Sequence, residues 1–110
     1  MKSLVLVCAC LALLAAGGAF AATIPGQPDP VHGKALAESL CSNCHLVGSG
    51  QEHVNADVPS FREIANVPGR TAGDIIAFII LPKHPMPTIP LTKAELADLA
   101  AYIISLRDQP

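Results

Sequence analysis

The sequence has few aromatic residues and no hydrophobic run long enough for a clear membrane span. Its 110 residues include no Trp, one Tyr and three Phe, although 51% of them are hydrophobic. The longest apolar run, Leu4 to Ala16, is shorter than the roughly 20 residues that a transmembrane helix requires. So few rings give a small domain little core volume, and a large apolar cofactor would supply what is missing.

Positive charge is scarce as well. The chain has seven Lys and Arg residues against nine Asp and Glu, a formal net charge of −2, and the basic residues form no cluster. Proteins that bind nucleic acids usually carry a basic patch or stripe. We therefore expect no nucleic-acid partner.

The first 21 residues are organised like a secretory signal peptide. Lys2 provides a positive start, the apolar run follows, and the segment ends in the small-residue pattern Ala19-Phe20-Ala21. We predict cleavage after Ala21 and export to the periplasm, with an uncleaved anchor helix as the alternative. Cleavage would remove Cys8 and Cys10 and leave no stable membrane span.

The remaining chain divides into a short arm and one domain. Residues 22–30 contain three prolines, which lack amide donors and favour extended backbone, so we expect a proline-rich N-terminal arm. In residues 31–110, apolar positions recur at helical spacing, and no segment alternates with the period of two that a strand would show. The predicted fold class is all-α.

About four short helices are expected in this domain. They run from Val31 to about Cys44, from Ser60 to Asn66, from Thr71 to Leu81 and from Thr92 to Leu106. The segment from Leu46 to Val58 is rich in Gly, Ser, Asn and Asp and predicts a loop. Between the last two helices, four prolines at positions 82, 85, 87 and 90 exclude helix and central strand, which predicts a stiff, irregular strap.

The motif Cys41-Ser42-Asn43-Cys44-His45 is the attachment pattern of c-type haem. Two thiols three residues apart can each add to one of the two vinyl groups of a single haem, while the next residue presents its imidazole to the iron. The sequence therefore predicts one haem c, covalently bound through Cys41 and Cys44, with His45 as an iron ligand.

A redox disulfide or a zinc site could use the same residues. Thioredoxin-like CxxC motifs begin a helix after a strand, whereas this motif is predicted at the end of a helix, with no βαβ pattern nearby. A structural zinc site needs a separate second pair of ligands, which is not found here. Haem attachment is the favoured interpretation.

The second axial ligand decides whether a haem iron carries electrons or binds small molecules. Met86 is the only Met left after signal cleavage, and it lies in the proline strap, where a rigid backbone could hold its thioether on the iron. A lone Met is more often a core residue, but the strap and the haem motif together favour ligation. His84 is the main competitor, while His53 and His32 are more typical of solvated surface histidines.

The stretch from Val31 to Arg107 resembles a small bacterial class I c-type cytochrome. The shared features, in order, are the N-terminal helix, the CxxCH motif, a loop, a turn at Pro59 into a short helix, the Met86-Pro87 strap and the C-terminal helix. The resemblance implies the cytochrome c fold, with the helices arranged around one covalent haem.

The resemblance also implies specific contacts. In that family the first and last helices cross closely, with a Gly meeting an aromatic residue, and Gly33 and Tyr102 hold the matching positions. A proline carbonyl accepts a hydrogen bond from the iron-ligating histidine and raises its basicity. Pro59 is the matching residue, although Val58 replaces the usual Gly before it.

Many relatives offer Trp or Tyr to the haem propionates, and this chain has no Trp. Arg62 and Arg70 are the candidate substitutes. Plain surface charge is the alternative interpretation of both.

The resemblance implies a one-electron carrier and not an enzyme, since both axial positions of the iron would be filled. Such a carrier docks transiently on redox-partner proteins through small interfaces. Two alternatives stay open: a haem-based ligand-binding or sensor module in which Met86 is not on the iron, and a cytochrome subunit of a periplasmic dehydrogenase or oxidase.

Overall fold

The computed structural model describes residues 17–19, 24–51, 55 and 57–108. Along this part of the chain lie the helices α1 (Pro30–Leu40), α2 (Phe61–Asn66), α3 (Ala72–Ile80) and α4 (Lys93–Ser105), and it contains no strand. The all-α prediction is confirmed. The predicted signal peptide lies almost entirely outside the described residues, and none of the described helices is both long and apolar enough to cross a membrane.

Local capping explains where three of the helices begin. Ser60, Thr71 and Thr92 each accept a hydrogen bond from the amide three residues on, and the acidic side chain at that position accepts one from the amide of the capping residue. These bonds satisfy amides that a helix leaves without partners in its first turn. Thr71 and Thr92, where the sequence predicts the third and fourth helices to start, are the caps of α3 and α4, and α2 follows the same pattern.

The cap of α4 leads to a stability prediction. Replacing Thr92 by Ala removes the oxygen that accepts from the Glu95 amide at 3.2 Å, so the free energy of unfolding should fall by about 1 kcal/mol. Urea denaturation of the purified protein measures this. Thr88→Ala, at an exposed position in the strap, is the control, and equal midpoints for the two variants would argue against the cap.

The end of α1 differs from the prediction. The helix ends at Leu40 and does not continue to Cys44, so that prediction is wrong. The hydroxyl of Ser42 donates to the carbonyl of Glu38 at 2.5 Å, and such a side-chain bond competes with the backbone bond of a continuing helix. Residues 41–44 form turns, which brings the CxxCH motif into a loop.

The arm before α1 is only partly extended. The amide of Gln27 donates to the carbonyl of Ile24 at 3.1 Å, with Gly26 at a φ of 87°, so these residues form a turn. The helix then begins at Pro30, one residue earlier than predicted. Proline is favoured there because its missing N–H would have no helical partner in any case.

α4 organises the core, because it packs against each of the other three helices and most extensively against α1. Its buried residues are Leu96, Leu99, Ala100, Tyr102 and Ile103. Within the described part of the chain, Leu99 is the only large side chain less than 2% exposed. The polypeptide alone therefore builds a small core, as the scarcity of aromatic residues predicts.

α1 and α4 meet at Gly33. A Cβ atom at this position would lie 2.0 Å from the carbonyl oxygen of Asp98 and 2.9 Å from the Cβ of Tyr102. No residue larger than Gly fits at this separation of the two backbones. The predicted contact between Gly33 and Tyr102 is confirmed.

Asp98 also ties α4 to the start of α1. One of its carboxylate oxygens accepts from the Asp29 amide at 2.7 Å, and the other lies 2.8 Å from Nδ1 of His32. His32 is half-exposed, as expected of a surface histidine. The hydrogen bond to Asp98 raises the pKa of His32 above its usual 6.5.

This contact predicts a pH dependence of stability. Because the folded-state pKa of His32 is raised, its contribution is complete below the unfolded-state pKa and is lost as the pH rises through the folded value. The pKa of Asp98 is lowered, first by the Asp29 amide and then by His32, so the carboxylate stays ionised at pH 5.5. We expect the urea midpoint at pH 5.5, taken relative to that at pH 8.5, to be higher in the wild type than in His32→Gln. His84→Gln, at an exposed position, should keep the wild-type difference, and an unchanged difference in His32→Gln would contradict the prediction.

Candidate functional site

One turn holds both cysteines and the histidine of the CxxCH motif. The amides of Cys44 and His45 both donate to the carbonyl of Cys41, at 3.2 and 2.9 Å. Cys41 packs against the core, while Cys44 is exposed, and both are free thiols. The three side chains are therefore presented together just after α1.

The environment of Cys41 does not suit thiol redox chemistry. Burial, with a smaller effect of the neighbouring Cys44, raises the pKa of the Cys41 thiol to about 11. Reactive CxxC cysteines have lowered pKa values, because the thiolate is the nucleophile. Cys41 is therefore not the activated thiol that a disulfide oxidoreductase needs.

The imidazole of His45 is held in one orientation. Its Nδ1 lies 2.7 Å from the carbonyl oxygen of Pro59. A carbonyl oxygen can only accept, so Nδ1 carries a proton, and in the neutral imidazole Nε2 keeps its lone pair. Histidines that bind metals are typically held by such a bond at the other ring nitrogen. The hydrogen bond predicted for Pro59 is present, despite Val58 before it.

The backbone around Pro59 is fixed to the same loop. The amide of Phe61, at the start of α2, donates to the carbonyl of Leu46 at 2.9 Å. The buried ring of Phe61 also lies beside the imidazole of His45, with 5.2 Å between the ring centroids. The segment that contains His45 and the segment that contains Pro59 are therefore held together by a backbone hydrogen bond as well as by the His45–Pro59 bond.

Gln51 is a site residue that the sequence did not reveal. Its side-chain amide bonds to backbone groups of Ser42, His45 and Val47. A Gln in a polar loop has no periodic or motif signal, so only the folded loop identifies it.

Met86 lies in the strap, which is irregular as predicted. Its amide donates to the carbonyl of Lys83 at 2.9 Å, and its half-buried side chain packs against the core cluster that Cys41 also contacts. His84 is exposed, and the imidazole of His32 is bonded to Asp98. His53 lies outside the described residues.

The structure distinguishes the two candidate arginines. Arg62 is exposed and forms an ion pair with Asp108. Nε of Arg70 is buried and has no hydrogen-bond partner among the described residues, and its guanidinium carbon lies 4.9 Å from the ring centroid of Phe78. Buried polar atoms normally have a partner, so Arg70 fits a binding site for an acidic group better than Arg62 does.

Phe78, which lies against Arg70, and the two apolar residues at the end of α3 are exposed. The exposed fractions are 47% for Phe78, 53% for Ile80 and 76% for Leu81. A ring-shaped apolar group with acidic substituents would cover such side chains and bond to Arg70. The two thiols and Nε2 of His45 fit the attachment and ligation of a haem, and exposed apolar side chains and an unpaired buried N–H are the kinds of group that suit its ring and its propionates.

The zinc interpretation finds no support in the described part of the chain. Residues 17–19, 24–51, 55 and 57–108 contain no group of three or more His, Cys, Asp or Glu side chains arranged to hold a metal ion. The second pair of protein ligands that structural zinc requires is therefore not assembled there.

The comparisons with known proteins agree with the site. No protein-family model matches the chain, and no solved structure matches it either. The chain is 42% identical over 99 residues to cytochrome c-552 of Bradyrhizobium diazoefficiens, an alignment that covers 89% of this chain and 91% of that protein. Identity at this level over nearly the full length of both proteins shows that the chain belongs to the small c-type cytochromes.

Proposed function

We propose that this electron-transfer protein carries one haem c in the periplasm, covalently attached through Cys41 and Cys44, and passes single electrons between redox-partner proteins. One observation carries the proposal: two free thiols share a turn with an imidazole whose Nδ1 is bonded to Pro59, which leaves Nε2 available. The bound haem iron would supply the one-electron exchange between its ferric and ferrous states.

The residues of the chain would divide the work of holding the haem. The sulfurs of Cys41 and Cys44 would tether it, and Nε2 of His45 would bind the iron. The carbonyl oxygen of Pro59 accepts a hydrogen bond from Nδ1–H of His45 and so raises the electron donation of the imidazole. Arg70 would offer its buried N–H to a propionate.

Met86 is the proposed second ligand of the iron. Its half-buried side chain packs on the core cluster that Cys41 also contacts, which supports this role. A thioether favours ferrous iron and raises the reduction potential relative to a second histidine. With both axial positions filled, the protein would exchange electrons and would not bind substrates at the iron.

Periplasmic location is supported by the signal-like pattern of residues 1–21. Partner recognition would be transient and sensitive to salt, because small redox interfaces dissociate quickly and depend on complementary charge. A cell-fractionation assay tests the location, and the protein should appear in the periplasmic fraction. Recovery only in the membrane fraction would favour the uncleaved anchor.

Mass spectrometry after acid-acetone treatment tests covalent attachment. The protein should keep its haem, with a mass equal to residues 22–110 plus one haem, because thioether bonds survive the treatment. The Cys41→Ser, Cys44→Ser double variant is the control and should lose all haem. Extraction of the haem from the wild-type protein would contradict the proposal, and an uncleaved mass would contradict the signal peptide alone.

A further inference from the structure

Both the nitrogen and the oxygen of the Gln51 side-chain amide form hydrogen bonds with backbone groups of residues 42–47, a segment that overlaps the CxxCH motif. Nε2 donates to the carbonyl oxygens of Ser42 and His45, each at 2.9 Å, and Oε1 accepts from the amide of Val47 at 3.1 Å. The reversed amide would place oxygen against two carbonyls and nitrogen against an N–H. The three partners therefore fix the orientation of the amide.

These three contacts connect the motif to the loop after it. Ser42 lies between the two cysteines, His45 is the proposed iron ligand, and Val47 accepts a hydrogen bond from the Tyr102 hydroxyl at 2.5 Å through its carbonyl. Tyr102 is buried in α4. Gln51 thus links the main chain of the motif to a loop that is itself anchored on the core.

The orientation of an imidazole depends on both its main chain and its ring contacts. The bond from Nδ1 to Pro59 restrains rotation of the His45 ring, but it does not fix the Cα position from which the ring projects. The bond from Gln51 to the His45 carbonyl restrains that main chain. The amide of His45 is also held, by the carbonyl of Cys41, so the bond from Gln51 adds a restraint on the carbonyl side of the residue. The bonds to Gln51 and Pro59 together restrain the ring plane and the Nδ1–Pro59 distance.

We propose that Gln51 is a positioning residue, which holds the main chain of His45 so that the imidazole keeps its plane and its hydrogen bond to Pro59. Gln51 thereby sets the reduction potential of the site. The inference rests on the proposed function, because it takes Nε2 of His45 as the iron ligand. The side chain of Gln51 contacts only backbone groups of the motif and its loop, so this role requires no contact with the imidazole or the thiols.

Two variants of the haem-loaded protein separate the contacts. Gln51→Met keeps the length of the side chain and removes all three bonds. Gln51→Glu keeps an oxygen that can accept from Val47 but places a second oxygen against the carbonyls of Ser42 and His45. If the donated bonds are the important ones, Glu should disturb the site at least as much as Met does.

The readouts are the paramagnetic NMR spectrum of the ferric protein and the reduction potential. In both variants the shifted signals of the haem methyls and the His45 ring protons should move, because they report the plane of the axial imidazole. The potential should become more positive, because a weakened bond to Pro59 reduces the electron donation that stabilises ferric iron.

Thr92→Ala is the matched control, since it weakens the cap of α4 without removing any contact of Gln51 or His45 and should leave both readouts at their wild-type values. If Gln51→Met or Gln51→Glu lowers the urea midpoint while the NMR pattern and the potential stay wild-type, the positioning role is overturned and Gln51 only stabilises the loop. A wild-type spectrum without shifted His45 signals would instead overturn His45 as the ligand, and with it the proposed function.

Discussion

Replacing Met86 by Ala should leave the haem attached and open the second axial position of its iron. The proposed thioether bonds to Cys41 and Cys44 and the proposed bond from His45 to the iron do not depend on Met86, which lies in a separate segment of the chain. The reduced variant should therefore bind carbon monoxide readily, whereas the reduced wild type resists it. The reduction potential should fall, because a ligand that favours ferrous iron has been removed. Carbon monoxide titration and redox potentiometry measure the two effects.

His84 is the reason for a second variant, because it is two residues away in the same strap and is exposed. If its imidazole replaces the lost sulfur, carbon monoxide binding stays slow in Met86→Ala and becomes fast in the Met86→Ala, His84→Ala double variant. His84→Ala alone should behave as the wild type. Should the wild type bind carbon monoxide as fast as the double variant, Met86 is not a ligand, and the ligand-sensor interpretation replaces that of a carrier.

Replacing Gly33 by Ala should destabilise the protein by about 3 kcal/mol or more, at the upper end of the usual cost of overpacking. The added methyl group would sit 2.0 Å from the carbonyl oxygen of Asp98, which is a backbone atom and cannot rotate away. α1 and α4 would have to move apart. This would disturb the contacts that Tyr102 and Asp98, both in α4, make with α1 and its cap. The urea midpoint of the haem-loaded variant measures the loss.

Gly73→Ala is the matched control, because the same atoms are added to another helical glycine. A Cβ at Gly73 would have its nearest neighbour, the hydroxyl oxygen of Thr71, at an ordinary 3.7 Å. This variant should be neutral or up to about 1 kcal/mol more stable, since Ala favours the helix. Similar midpoints for the two variants would show that the crossing at Gly33 tolerates a side chain.

The starts of the helices could be predicted from sequence because their causes are local. The first-turn amides are satisfied within four residues, by Thr71 and Asp74 in α3 and by Thr92 and Glu95 in α4. The end of α1 was missed for the opposite reason. Whether the Ser42 hydroxyl donates to a carbonyl one turn back depends on its side-chain conformation, which its identity does not determine.

The candidate site shows the same division. The spacing of the cysteines and His45 is given directly by the sequence, and the resemblance to c-type cytochromes predicted the hydrogen bond from His45 to Pro59. The difference between Arg62 and Arg70 could not be predicted, because Arg62 meets Asp108, 46 residues away, only in the folded chain. The sequence likewise contains no indication that Gln51 would reach three backbone groups.

The crossing of α1 and α4 also has a consequence for the rate of folding. α2, α3 and α4 begin at caps that form within a few residues, whereas the bond between Asp29 and Asp98 joins positions 69 residues apart. Closing a chain segment of that length costs about 4 kcal/mol of conformational entropy before any contact at the crossing compensates for it. Non-local contacts of this kind slow folding. We therefore expect the docking of α1 on α4, in which the two ends of the domain meet, to limit the rate of folding.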